Sequence, residues 1–137
     1  MALRHMQIGE VAAQTGLSLR TIRYYEEMDL VVPSARTSGG FRLYTDSDVA
    51  RLQLIKRMKP LDFTLEETRD LLGNLDALES VEGETARAEL VSRLEMYQEA
   101  AQARVEAVRQ QLEIADGFAA DLRAEINRHK RDARARG

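Results

Sequence analysis

Arg20 and Arg23 stand three residues apart, with Tyr24 beside them, in the run SLRTIRYYEE, and that spacing places both guanidiniums on one side of a helix. A guanidinium can read the O6 and N7 edge of guanine through two parallel hydrogen bonds, and a phenol hydroxyl can donate to a phosphate oxygen. A second group follows in RTSGGFRLY, where Arg36 and Arg42 flank Gly39-Gly40; lacking side chains, such a tip lets backbone amides come close to a phosphate. Tyr44 closes that run and suits either a contact to the duplex backbone or a place at the edge of the core. Arg57 and Lys59 form a third candidate pair for phosphate. Each signal has a plainer counterpart. An arginine paired to Glu26 or Glu27 on a solvated helix uses the same residues, a Ser-Gly-Gly hairpin is more often only a turn, and surface lysines rarely need a role. What sets these residues apart is their order along one chain.

Elements that would position them can be read from caps and periodicity. Ile8, Val11 and Ala12 recur at helical spacing up to Thr15-Gly16, where glycine can take the left-handed conformation that ends a helix. Ser18 can cap a second helix by accepting from the Thr21 amide, with Leu19, Ile22 and Tyr25 or Glu26 marking its turns. Two short helices joined by a glycine-containing turn make a helix-turn-helix, whose second helix enters the major groove. Pro33 closes this region, and residues 36–44 read as a hairpin tip with a returning strand. Alternation along that strand puts Phe41 and Leu43 on one face and Arg42 and Tyr44 on the other, and the first pair is expected to face the core. Thr45 with Asp48 caps a third helix striped by Val49, Leu52, Ile55 and Met58 and stopped by Pro60. Thr64 with Glu67 is a full capping box for a fourth, which turns Leu65, Thr68, Leu72 and Leu75 inward.

From Gly73 to Glu84 the composition turns acidic and loop-like, so a linker is expected over 76–84 after a domain of residues 1–75. Beyond it, alternating steps of three and four reach Val91, Leu94, Gln98, Ala101, Val105, Val108, Leu112, Ala115, Ala119, Leu122, Ile126 and His129. All but Gln98 and His129 are apolar, which predicts a coiled-coil seam on a helix over 85–130. One such helix cannot cover its own stripe, so self-association as a homodimer is expected. Gly117 interrupts the pattern at about 1 kcal/mol relative to alanine, leaving open whether the helix kinks or ends there. Residues 131–137 read as a basic, solvated tail.

Composition narrows the function further. A chain of 137 residues can hold one compact domain with an appendage but not two independent cores. Without cysteine it has no disulfide, no thiolate metal site and no cysteine redox chemistry. No apolar run exceeds three residues, so neither a signal-peptide core nor a membrane span can be assembled, and a cytoplasmic location is expected. Net charge is −3, yet residues 4–59 carry nine Lys/Arg against six Asp/Glu; any affinity for DNA must come from a local basic face. His5 and His129 lie at opposite ends, and neither a phosphate loop nor a dinucleotide fingerprint occurs. No catalysis, metal or cofactor is expected.

The runs IGEVAAQTGLSLRTIRYYEEMDL, RTSGGFRLYT and DVARLQLIKRMKPLDFTLEE resemble, in order and spacing, the N-terminal domain of MerR-type (mercury-resistance regulator type) transcription regulators. The resemblance covers about residues 7–75. It implies a mainly α fold, a winged helix-turn-helix with a small β-hairpin wing followed by a long coiled-coil dimerisation helix. It further implies a homodimer joined by an antiparallel coil, binding a pseudo-palindromic site in promoter DNA that it bends and untwists, with RNA polymerase at the promoter as a further partner. The DNA-facing set would be Ser18, Arg20, Arg23, Tyr24, Arg36, Gly39, Gly40, Arg42, Tyr44, Arg57 and Lys59. The dimer seam would be Val91, Leu94, Ala101, Val105, Val108, Leu112, Ala115, Ala119, Leu122 and Ile126.

Asp29 and Asp62 depart from the pattern, which usually has glycine at both places; aspartate tolerates left-handed geometry better than most residues. Some 60 residues follow the winged helix, which leaves little for a large effector domain and puts any ligand, if one exists, at the dimer interface. The competing reading is a protein-interaction adaptor that grips a partner through the coil and has weak or lost DNA binding.

Overall fold

The computed structural model describes residues 5–137, so the first four residues of the expected 1–75 domain lie outside the described residues. In chain order it contains β1 (Met6–Gln7), α1 (Ile8–Thr15), α2 (Leu19–Glu27), β2 (Ala35–Arg36), β3 (Arg42–Tyr44), α3 (Asp46–Met58), a 3-10 turn (Lys59–Leu61), α4 (Leu65–Ser80) and α5 (Glu84–Arg136). The fold is mainly helical with one small antiparallel sheet ordered β1-β3-β2.

Local caps fix most boundaries. Ser18 Oγ accepts from the Thr21 amide at 3.0 Å, which starts α2. Thr45 with Asp48, and Thr64 with Glu67, each complete a reciprocal capping box at the starts of α3 and α4, satisfying amides that would otherwise lack partners. Gly16 ends α1 at φ 74°, its amide donating to the Ala12 carbonyl. Asp29 and Asp62 both sit at φ 60°, so each takes the left-handed geometry for which the usual glycine is suited.

The first compact unit runs to Tyr97. Its core gathers Met6, Val11, Ile22, Tyr25, Leu30, Val31, Tyr44, Leu52, Ile55 and Leu72. Arg51 anchors the stretch after α2 by donating to the Leu30 carbonyl and forming two hydrogen bonds to Asp76, while Arg69 donates to the Met28 carbonyl at 2.8 Å. At the other edge, Tyr97 donates to Asp70 at 2.6 Å, and its ring tilts against Phe63 at 6.3 Å. The second unit, from Gln98, is helical through Arg136.

Three expectations need correction. On β3 the inward residue is Tyr44, fully buried, whereas Phe41 is exposed and Leu43 is half-buried; pairing of Met6 with Tyr44 across β1 and β3 puts the tyrosine under the sheet. The linker expected over 76–84 is only Val81–Gly83, because α4 runs to Ser80 despite its acidic composition. Gly117 lies inside α5, which also continues through the expected tail to Arg136.

Gly16 offers a test of the turn between α1 and α2. A methyl group there would lie 3.0 Å from Lys56 Nζ, whose ammonium donates to the Thr15 carbonyl at 2.7 Å, in a backbone conformation that disfavours L side chains. Gly16→Ala is expected to lower unfolding stability by about 1–2 kcal/mol in a urea titration.

Candidate nucleic-acid interface

On α2, Ile22 and Tyr25 face the core, which turns Arg20, Arg23 and Tyr24 outward. Tyr24 is 47% exposed. Among the described residues neither Arg20 nor Arg23 has an ion-pair partner, so the pairing with Glu26 or Glu27 that would make them a bland solvated face is not formed. A hollow of about 450 Å³ brings Arg20 and Lys59 together with Thr21, Tyr24 and Phe63. Arg57 is exposed but does not line it.

The wing turns at Thr37–Gly40. The Gly40 amide donates to the Thr37 carbonyl at 2.9 Å, and the Phe41 amide to Thr37 Oγ1 at 3.1 Å. Gly40 takes φ 83°, which explains its residue type. Its amide is therefore engaged inside the turn rather than offered outward, while Gly39 stays at the exposed tip. Arg36 and Arg42 face one another across β2 and β3.

Tyr44 requires a correction. It has no exposed surface, and its hydroxyl donates to Glu26 Oε2 at 3.1 Å, so it covers the core rather than touching a duplex. Burial first, then the neighbouring Glu26 carboxylate, pushes its hydroxyl up to about 12. A raised phenol value means the folded state holds the proton more tightly. The stabilisation is complete below about pH 10, the value of an unfolded tyrosine, and is lost as pH rises towards 12. Tyr97 is raised to about 12 as well, chiefly by its hydrogen bond to Asp70, and adds to the same alkaline loss. Circular dichroism from pH 9 to 12 is expected to show alkaline destabilisation, smaller in Tyr44→Phe because that variant has no proton to lose at the site.

Glu26 is the residue that sequence reading did not single out as part of the site. Its carboxylate meets Arg36 Nη2 at 3.3 Å, Arg42 Nε at 2.5 Å and the Tyr44 hydroxyl. A signal was present: Glu26 lies one helical turn after the buried Ile22 and so points to the same side.

Of the seam on α5, Leu94, Ala101 and Val105 are half-buried, whereas Val91, Val108, Leu112, Ala115, Ala119, Leu122 and Ile126 are exposed in a single chain. Leu112 is 59% exposed. Among the described residues no group of His, Cys, Asp and Glu has the arrangement to hold a metal ion, and no helix is long and apolar enough to cross a membrane.

A family profile described as "MerR HTH family regulatory protein" matches residues 6–75, more than half of the chain. The mercuric resistance operon regulatory protein of Bacillus cereus is 47% identical over 70 residues, covering 51% of this chain and 53% of that protein. The chain thus spans about half the length of the curated relatives it matches. Among solved structures, a putative MerR family transcriptional regulator from Listeria monocytogenes aligns with TM-score 0.61 and 26% identity over 81% of this chain and 80% of its own. HiNmlR, a MerR family regulator lacking the sensor domain and bound to promoter DNA, aligns with TM-score 0.67 over 85% of this chain and 89% of its own; at 20% identity it shares the fold. Helix-turn-helix, wing and family match coincide over one stretch, and the chain belongs to the MerR HTH family of regulatory proteins.

Proposed function

We propose that this chain is a sequence-specific DNA-binding transcription regulator that acts as a homodimer on a pseudo-palindromic promoter site. The observation that carries the reading is the outward face of α2, where, among the described residues, Arg20 and Arg23 stand without ion-pair partners and Tyr24 is exposed beside them. Arg20 and Arg23 would read base edges; Arg36 and Arg42 on the wing, with Arg57 in the last turn of α3 and Lys59 just after it, would hold phosphates. Ser18 shapes the first turn of the recognition helix, and Gly39 lets the wing tip approach the backbone. Residues 1–75 thus read DNA, and α5 pairs the subunits through its apolar seam. With two α2 helices fixed by that pairing, the dimer would bend and untwist its site, a deformation costing several kcal/mol that contacts on both half-sites must offset. Such a protein works in the cytoplasm beside RNA polymerase and is not an enzyme.

An adaptor reading has one observation in its favour: Glu26 partly neutralises both wing arginines. Salt dependence tests between them. Mobility shift against the DNA upstream of the coding gene is expected to show log affinity falling steeply with log salt concentration, because phosphate contacts release counterions. Weak retention, equal for all sequences and nearly flat with salt, would instead favour the adaptor.

A further inference from the structure

We infer that Glu26 is a positioning residue for DNA recognition: its carboxylate locks the wing to the recognition helix, so that phosphate contacts on the wing set the angle at which α2 meets the bases. This rests on the DNA-reading function proposed above.

The hairpin alone is poorly suited to hold two cations. β2 and β3 are two and three residues long, and Arg36 lies directly across from Arg42. Like charges placed opposite one another destabilise a strand pair, and the two-residue pairing of β2 with β3 is weak by itself. Glu26 resolves the conflict from a different element. Oε1 meets Arg36 Nη2 at 3.3 Å, and Oε2 meets Arg42 Nε at 2.5 Å while accepting from the Tyr44 hydroxyl at 3.1 Å. One carboxylate on α2 therefore ties both strands of the wing, and Tyr44 ties the carboxylate to the core.

This tie is permanent rather than a stand-in for phosphate. The Glu26 side chain is 14% exposed and the Tyr44 ring is fully buried. Turning the carboxylate away would strand a buried hydroxyl without an acceptor, which is costly. The arginines need not let go of it to bind DNA, because a guanidinium has five N–H donors. Arg42 uses its Nε edge on Glu26 and keeps its Nη groups; Arg36 uses one Nη on Glu26 and the other on the Gly40 carbonyl, keeping Nε. With each guanidinium fixed at one edge, the remaining donors are ordered before any phosphate arrives, which reduces the ordering loss on binding. A wing that grips phosphate this way carries α2 with it as one body.

The test uses the full chain as Glu26→Gln, Glu26→Asp and Tyr44→Phe, each checked for an intact helical spectrum. Affinity is measured for a duplex from the gene's upstream region and for a scrambled duplex of equal length, across a potassium chloride series. Glu26→Gln removes a negative charge, so binding to the scrambled duplex is expected to tighten. Binding to the upstream duplex is expected to weaken, and the selectivity ratio to fall by about tenfold or more. Tyr44→Phe, which keeps the ring and loses the hydroxyl, moves the ratio the same way by less. Glu26→Asp, which keeps the charge, retains more selectivity than Glu26→Gln. If Glu26→Gln tightens both duplexes equally, the carboxylate acts through charge alone and the inference is overturned. If it weakens both equally, the role is general stability and the inference is again overturned. A wild-type protein with no preference for the upstream duplex would sink the DNA-reading function itself, a different failure from an unchanged ratio in Glu26→Gln against a selective wild type.

Discussion

Arg23→Ala is expected to abolish selective binding to the operator while leaving the fold intact. The side chain is exposed on α2, has no ion-pair partner among the described residues and lies opposite the buried Ile22 and Tyr25, so its removal disturbs no packing. A bidentate arginine contact to guanine contributes about 1–3 kcal/mol of discrimination. A dimer presents it twice, so the operator loses about 2–6 kcal/mol, and the scrambled duplex loses only the phosphate attraction. Lys59→Ala should behave differently. As a phosphate contact made once by each subunit, it would lower affinity evenly across sequences and flatten the salt slope by about two. Competition binding at several salt concentrations separates the two patterns, and a selectivity ratio untouched by Arg23→Ala would count heavily against α2 as the reading element.

Leu112→Glu combined with Leu122→Glu is expected to separate the subunits. Both residues lie on the apolar seam of α5, and both are exposed in the single chain, at 59% and 48%. In a paired coil each carboxylate would be placed against apolar side chains without a partner, a strongly unfavourable burial. Sedimentation should then report a species near 15.5 kDa, the mass of one chain. Operator affinity should fall by about 10²–10⁴, since joining two half-site contacts raises overall affinity by that factor. A variant that stays dimeric would show that the seam is not the interface.

Much of the winged domain was legible because its signals are local. Ser18, Thr45 and Thr64 cap helices through amides three residues away, and such rules need no knowledge of the tertiary fold. Asp29 and Asp62 were legible for a similar reason, since the geometry at a turn depends on the residue's own backbone. What escaped was non-local. The inward face of β3 is set by the pairing of Met6 with Tyr44, thirty-eight positions apart in the chain, so alternation could separate the two faces without saying which one is buried. Tyr44 tolerates full burial because Glu26, on another element, accepts a hydrogen bond from its hydroxyl. The boundary near residue 80 was obscured by composition: acidic residues suit a solvated helix as well as a loop, and α4 accordingly persists to Ser80. At Gly117 a penalty of about 1 kcal/mol is small against the cooperativity of a helix that continues on both sides.

Hydroxyl-radical footprinting of the wild-type protein on its upstream DNA tests most directly whether two α2 helices are set at a fixed separation by paired α5 helices. Protection is expected in two symmetric patches whose centres lie a whole number of helical turns apart on one face of the duplex, appearing together as protein is added. A single protected patch, or two that fill independently, would contradict the account.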